Sequence, residues 1–523
     1  MPSSSTSPRY PRETMATETD TEPGDFPALG SRVQRRARRA PWYRRAFFVI
    51  FAVTAVAAGL RFYHLSAPHA YVFDEVYYAK DACLDAGFPY KRCQLNSPNE
   101  QTVTVHPPLG RWIIAGGIAA TGKPSDFGCQ FGVVSPRCHP FSFRVAAAVF
   151  GALSVLLVAV LAYRLFASAL WAGVAGLLLA TESLNFVQSR TSMLDIFLVT
   201  FVVAGFLLLV LDRQWVERRT PQPSDLPEES QEAYLLELPP DRPPAPIFRP
   251  WRLAAGIAFG AAVATKWSGA TALAAAILLT IMWERTRRSE VGFRHALREA
   301  LRDEAFGIFL FLLVLPAAVY MASYAKWFAD HHGLNLVEWW KLQRGMADYS
   351  IHLRAKHPYS SPAWSWLILK RPVAYYYQCF RNAAGGCGSQ AEILGVGNPA
   401  IFWGSLVAVP YVLVSWVRRR DWRAGLIFIP FALQYGPWFF AARTNFLFYL
   451  VPVTPFMVLA GAYGLKDLFE VELGPRRVRT LALVAGFLLV VSVGLFVFFL
   501  PVLTGRAISY HAWKLRMWFP SWI

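Results

Sequence analysis

Charge is scarce in this sequence. Asp, Glu, Lys and Arg together make up 16% of its 523 residues, against roughly 25% in soluble proteins. With 55% hydrophobic residues, that deficit excludes a disordered chain and a soluble enzyme with one membrane tail. Cysteine is scarce too: six residues in 523, too sparse for a disulfide-stapled mini-fold, and none in a CxxC spacing, which weighs against a zinc site. There is no Walker phosphate loop and no GxGxxG fingerprint, so a soluble nucleotide donor is not expected. No internal repeat is visible, which weakens a transporter built from repeated halves. The first forty or so residues hold no apolar run, so no cleavable signal peptide is expected and the first span reads as a retained anchor.

What is present is a series of apolar stretches near the twenty residues that cross a bilayer. They fall at about 46–60, 143–165, 169–181, 193–211, 253–268, 271–283, 305–324, 400–417, 424–440, 446–465 and 481–503, about eleven spans in all. The fold class expected is an all-α polytopic membrane protein. Residues 1–45 read as a disordered basic tail and residues 46–503 as the membrane domain. The domain carries a first long loop at 61–140, a Pro-rich acidic insert at 212–250 and a second long loop at 325–398. Residues 504–523 form a C-terminal tail. Leu336, Trp339, Trp340 and Leu342, interleaved with Glu338, Lys341 and Arg344, suggest an amphipathic helix on the membrane surface. Ile113 and Ile114, after Arg111 and Trp112, suggest the same in the first loop.

Net charge is +18, from 52 Lys and Arg against 34 Asp and Glu. In a soluble protein that surplus suggests nucleic acid. Here the arginines cluster beside spans, as the positive-inside rule predicts, and no nucleic-acid partner is expected. The run 32–45 before the first span puts the N-terminus in the cytoplasm, and the Arg-rich loops within 213–252, 285–302, 418–423 and 476–479 follow it there. Both long loops and the C-terminus then lie outside. All six cysteines, Cys83, Cys93, Cys129, Cys138, Cys379 and Cys387, fall in those two loops, consistent with disulfides in an oxidising compartment. Neighbour pairing is the simplest arrangement among the fifteen that six cysteines allow.

The residues able to do chemistry gather on that same side. Asp74 and Glu75 follow Phe73 just beyond the first span. Burial there raises a carboxyl pKa and suits a base; a solvated acidic loop or an ion pair with Lys80 is the bland alternative. His106 opens His106-Pro-Pro-Leu-Gly110, where the prolines suit a loop-to-helix transition. Arg61 and Arg144 stand at span ends, and Lys266 within or at the end of one; each either snorkels to headgroups or binds a lipid-linked phosphate. Glu182, Arg190 and Asp195 surround one turn and suggest a structural clasp. His357 and Tyr359 lie in His357-Pro-Tyr-Ser-Ser361, and Arg443 precedes Phe448-Tyr449 and Pro452. No metal-ligand cluster is visible, so a divalent cation has no support in the sequence.

These motifs, in this order, resemble the protein O-mannosyltransferases, glycosyltransferase family 39 of the GT-C class. Arg61, Phe73-Asp-Glu-Val76, His106-Pro-Pro-Leu-Gly110 and Arg144 match its opening pattern. Glu182, Ser189-Arg190, Leu194-Asp195, Lys266-Trp267 with Gly269, and His357-Pro-Tyr-Ser-Ser361 with Trp364 and Trp366 continue it; Arg443, Phe448-Tyr449 and Pro452 close it. The resemblance implies a GT-C fold and a multi-pass enzyme of the plasma membrane. It implies transfer of mannose from polyprenyl-phosphate-mannose to Ser or Thr hydroxyls of secreted or membrane proteins, as in Sec translocation, at the outer face and with inversion at the sugar. By that resemblance Asp74 is the catalytic acidic residue and Glu75 its partner. Arg144 matches a position tied to donor-phosphate binding and Arg61 one needed for activity; with Lys266 they are the cations expected to serve the donor phosphate. The second loop is too short for the β-trefoil MIR insert of eukaryotic members, and the features look actinobacterial. The rival readings are another GT-C enzyme moving a lipid-linked sugar onto a glycan or lipid, and a transporter.

Overall fold

A computed structural model describes residues 46–97, 105–219, 248–287, 293–330, 333–382, 385–470 and 475–523. The tail 1–45 and most of the insert 212–250 lie outside the described residues. The architecture is a helical bundle with two structured loops at one end. In chain order, α1 is Ala46–Phe62, α2 Glu75–Asp85, α3 Leu109–Thr121, α4 Phe141–Phe166, α5 Ala169–Ala180, α6 Ser183–Gln188 and α7 Asp195–Glu217. Then come α8 Pro250–Thr265, α9 Gly269–Arg287, α10 Phe293–Gly307, α11 Leu315–Ala322, α12 Ala325–Asp330 and α13 Leu336–His352. The chain closes with α14 Pro399–Arg419, α15 Trp422–Tyr435, α16 Thr454–Glu470, α17 Pro475–Leu503 and α18 Tyr510–Lys514. Every expected apolar stretch falls on helix. Six helical stretches among the described residues are long and apolar enough to cross a membrane, and α1 and α5 are shorter apolar helices.

Helices α4 and α7 form the centre. They are apolar on most faces, as buried spans are, and α4 packs on α1, α5 and α7 while α7 packs on α8. Phe150 meets Phe197 and Phe201 edge-on, and Phe206 meets Phe259 and Phe456. Two glycines permit close approach. A Cβ on Gly151 of α4 would lie 2.2 Å from Ser189 Cβ and 2.9 Å from Arg61 Nε. A Cβ on Gly256 of α8 would lie 2.0 Å from the Phe311 carbonyl oxygen, so α8 rests directly on the π-helical stretch Ile308–Val314 that joins α10 to α11. Pro316 follows that stretch, removing a backbone donor where the helix changes its winding.

The sequence expectation of an all-α chain misses one element. In the second loop, β1 Val373–Arg381 and β2 Cys387–Gly395 pair antiparallel, Val373 opposite Gly395 and Gln378 opposite Ala391. The run Val373-Ala-Tyr-Tyr-Tyr377 is β-branched and aromatic, which suits a pleated, half-buried surface. Residues 504–523 are not a loose tail: β3 Ile508–Ser509 adds to β2, Trp513 Nε1 donates to Glu392 Oε2 at 2.5 Å, and Trp522 is buried and donates to the Leu369 carbonyl at 2.7 Å. The amphipathic segments of both loops are helical, as α3 and α13. The cysteines pair as neighbours, Cys83–Cys93, Cys129–Cys138 and Cys379–Cys387, with Cα separations of 5.6, 4.4 and 5.5 Å.

Candidate active site

The loop after α1 turns sharply into α2, and Asp74 occupies the position just before that helix. Phe73 takes φ +48°, which sets the direction in which Asp74 leaves the turn. The Asp74 carboxylate accepts no hydrogen bond among the described residues. Burial raises it to about 6, against the pull of the neighbouring Lys266 ammonium and with a further rise from Asp195. Lys266 ends α8 and donates from Nζ to Asp195 Oδ1, the first residue of α7, at 2.8 Å. Its ammonium lies 5.0 Å from the Tyr449 ring centre. An ammonium has three donors, so that ion pair leaves two for a ligand.

Lys266, His106 and Arg443 line one cavity of about 220 Å³, together with Trp267, Gln434 and Trp438. Burial drives the His106 imidazole down to about 3, with Lys266 and Arg443 adding to the fall; it is neutral near pH 7. A second cavity, of about 410 Å³, is lined by Arg354, Lys356, His357 and Arg443. Arg443 is common to both. The second cavity is built from two hydrogen-bonded segments: Thr444 N donates to Leu353 O at 2.9 Å, Thr444 Oγ1 to Ala355 O at 2.7 Å, and Ser361 N to Asn445 O at 3.0 Å. Among the described residues no carboxylate pairs with Arg354, Lys356 or Arg443, and the buried Arg443 Nε has no partner. A trough lined by cations without carboxylate partners suits an anion. Arg354 and Lys356 were not expected from the sequence; two cations spaced two apart beside His357 are the signal that points to them.

Two expected phosphate ligands stand elsewhere. Arg144 is buried and donates from Nε to Glu75 Oε1 at 2.7 Å and from Nη2 to Glu75 Oε2 at 2.8 Å. Its remaining N–H groups meet the carbonyls of Leu65, Ala67, Pro68 and Ala70. No donor is left for phosphate. Arg61 is buried under Phe186, donating to Asn185 Oδ1 at 2.8 Å and to Ala57 O at 3.3 Å. Glu75 is not an open acid either; it also accepts from Val72 N at 2.9 Å and Ser192 N at 3.1 Å. Nor does its bland partner Lys80 hold it.

The expected clasp of Glu182, Arg190 and Asp195 does not form. Glu182 caps α6 through Leu184 N and Asn185 N and accepts from Asn398 N, at 3.1, 2.6 and 3.2 Å. Arg190 donates to the carbonyls of Leu60, Arg61, Tyr63 and His64 at the end of α1. Asp195 belongs to Lys266. Tyr359 N donates to His357 Nδ1 at 3.2 Å, and its ring takes the Arg371 guanidinium at 5.1 Å. Among the described residues no three His, Cys, Asp or Glu side chains gather as a metal site.

The surroundings of this site match known proteins. Residues 51–221 match the family described as dolichyl-phosphate-mannose-protein mannosyltransferase, and residues 335–522 match the C-terminal four TMM region of protein-O-mannosyltransferase. The fold is similar to that of the Saccharomyces cerevisiae Pmt1–Pmt2 complex bound to the sugar donor, with TM-score 0.69, 15% identity and coverage of 91% of this chain and 92% of that one. It is also similar to apo ArnT from Cupriavidus metallidurans, with TM-score 0.50, 16% identity and coverage of 88% and 77%. These two likenesses show a shared fold. A polyprenol-phosphate-mannose–protein mannosyltransferase of Mycolicibacterium smegmatis is 31% identical over 506 residues, 90% of this chain and 92% of that protein. Its counterpart in Mycobacterium tuberculosis is 30% identical over 522 residues, 91% and 92% of the two chains. The chain belongs to the protein O-mannosyltransferase family.

Proposed function

We propose that this enzyme transfers mannose from polyprenyl-phosphate-mannose to Ser or Thr hydroxyls of secreted or membrane proteins, at the outer face of the plasma membrane. The observation that carries the reading is Asp74: a carboxylate with no donor among the described residues, raised to about 6 by burial and neighboured by Lys266, which lines a cationic cavity. Such a group is ionised at neutral pH and still basic enough to take a proton.

In one displacement the acceptor oxygen bonds to the anomeric carbon from the face opposite the phosphate. The bond from that carbon to the phosphate oxygen breaks with its electron pair, and the hydroxyl proton passes to Asp74. The configuration inverts. Polyprenyl phosphate is already a good leaving group, so no general acid is required, and His106, held neutral, is not asked to be one. Lys266 and Arg443 stand where negative charge grows on the phosphate; prepositioned cations in a site shielded from water are worth far more than in bulk. Arg354 and Lys356 extend that field outward. Glu75 and Arg144 organise the loop that carries Asp74.

Orientation rests on the Arg-rich connections at one end and three disulfides in the loops at the other. The first follows the positive-inside bias and the second needs an oxidising compartment. The test is transfer in proteoliposomes from polyprenyl-phosphate-mannose to a Thr/Pro-rich peptide. Mannose on threonine with inverted anomeric configuration supports the reading. Label appearing only on a glycan or lipid acceptor moves the activity to another GT-C reaction.

A further inference from the structure

Among the described residues Asp74 has no hydrogen bond to aim it, so its direction depends on the backbone of Phe73. An aromatic residue at φ +48° is held there only by its surroundings. Those surroundings are mostly one residue, three hundred positions on. Phe73 N donates to the Tyr375 carbonyl oxygen at 3.1 Å, and the two rings stack at 4.6 Å with 6° between their planes. Phe448 closes the cluster edge-on, 5.6 Å from Phe73 and 6.0 Å from Tyr375.

Tyr375 is itself immobilised. It is 2% exposed, and its hydroxyl accepts from Gln188 Nε2 at 2.6 Å. Its strand is paired to β2, which is closed at one end by Cys379–Cys387, extended by β3 and tied to Trp513 through Glu392. The hairpin thus presents a rigid aromatic plane to the turn that carries the base. We propose that Tyr375 is a positioning residue: its carbonyl and ring hold Phe73 in the left-handed conformation, keeping the Asp74 carboxylate beside Lys266 and away from water. This rests on the reading of Asp74 as the base.

The groups facing Asp74 are Lys266 at the end of α8, Asp195 at the start of α7, Tyr78 on α2, Tyr375 on β1 and Tyr449 in the turn Leu447–Val453. Phenols stay neutral below about pH 9, so between pH 4 and 8 the acid limb of activity reports Asp74, as tuned by burial, Lys266 and Asp195.

The experiment uses the full chain in proteoliposomes and measures kcat, donor KM and the pH–rate profile. Tyr375→Ala and Tyr375→Leu remove the stacking plane. Both are expected to lose about 100-fold in kcat, the scale of a misplacement near 1 Å, with donor KM changed less than about threefold. Their acid limb is expected to move down from about 6 toward the ordinary carboxylate range as water reaches Asp74. Tyr375→Phe, which keeps ring and carbonyl, is expected to stay within about threefold of wild type with its acid limb unmoved. A folded Ala or Leu variant with wild-type kcat and acid limb overturns the proposal, as does a Phe variant as damaged as the Ala variant. Asp74→Asn in the same membranes separates the two claims. Full transfer there overturns the base assignment, whereas its silence beside an unperturbed Tyr375→Leu overturns the positioning role alone.

Discussion

Arg144 holds Glu75 by two parallel hydrogen bonds, 2.7 and 2.8 Å long, with neither side chain in contact with water. The pair ties α4 to the start of α2, and through the carbonyls of residues 65–70 it fixes the loop that ends at Asp74. Removing one partner of a buried ion pair leaves the other uncompensated, at a cost of about 3–5 kcal/mol. Arg144→Ala is therefore expected to lower thermal stability in detergent by that amount, and transfer with it. Arg144→Lys restores the charge but not the fork, so it is expected to recover little. A stable Arg144→Ala protein with only a weakened donor KM would return this residue to a phosphate role.

The Asp74 carboxyl sits at about 6 with Lys266 pulling it down. A base works only when ionised, so the rate is expected to rise with pH through about 6 and level off above. Lys266→Met removes the downward pull, and the acid limb is expected to move to higher pH while donor KM rises. A pH–rate series on both proteins checks this; an acid limb that stays put in the variant contradicts the pairing.

Arg354, Lys356 and Arg443 line one trough without carboxylate partners among the described residues. Arg354→Ala with Lys356→Ala is expected to raise donor KM about tenfold at low salt, equivalent to about 1.4 kcal/mol, and less at 0.5 M salt, where screening already weakens exposed charges. kcat at saturating donor should change little. Donor titrations at two ionic strengths read both effects.

At the far end of α7, Asp212 takes Arg249 at 2.9 and 2.5 Å and Arg252 at 3.2 Å, and Glu304 bonds both arginines. At 1.5 Å per residue this clasp lies about 26 Å along the helix from Asp195. Glu304→Gln is expected to lower thermal stability while leaving kcat per folded molecule unchanged. Lost turnover in a protein of unchanged melting temperature would argue for coupling along α7.

The helices were legible because bilayer-length apolar runs leave a strong imprint, and every expected stretch falls on one. Lys266, His106 and Arg443 are candidates from the sequence that line one cavity, and Asp74 is a neighbour of Lys266. The partners of Arg61 and Arg144 are not legible in the sequence. An arginine at a span end has one sequence signature whether it snorkels, binds phosphate or plugs a loop, and only its three-dimensional partners decide. The hairpin escaped notice because nine-residue strands inside a long loop carry no repeat, and Tyr375 among three consecutive tyrosines looks like interface decoration. Residues 504–523 read as a tail, since burial of Trp513 and Trp522 depends on surfaces built by Leu369 and Glu392 far earlier in the chain.

The measurement that bears most directly on the account is mannose transfer by Asp74→Asn in reconstituted membranes, beside wild type, with radiolabelled polyprenyl-phosphate-mannose and a Thr/Pro-rich peptide. The account predicts a folded protein that binds donor with near wild-type affinity and leaves threonine unlabelled. Wild-type labelling of threonine by that variant would contradict it.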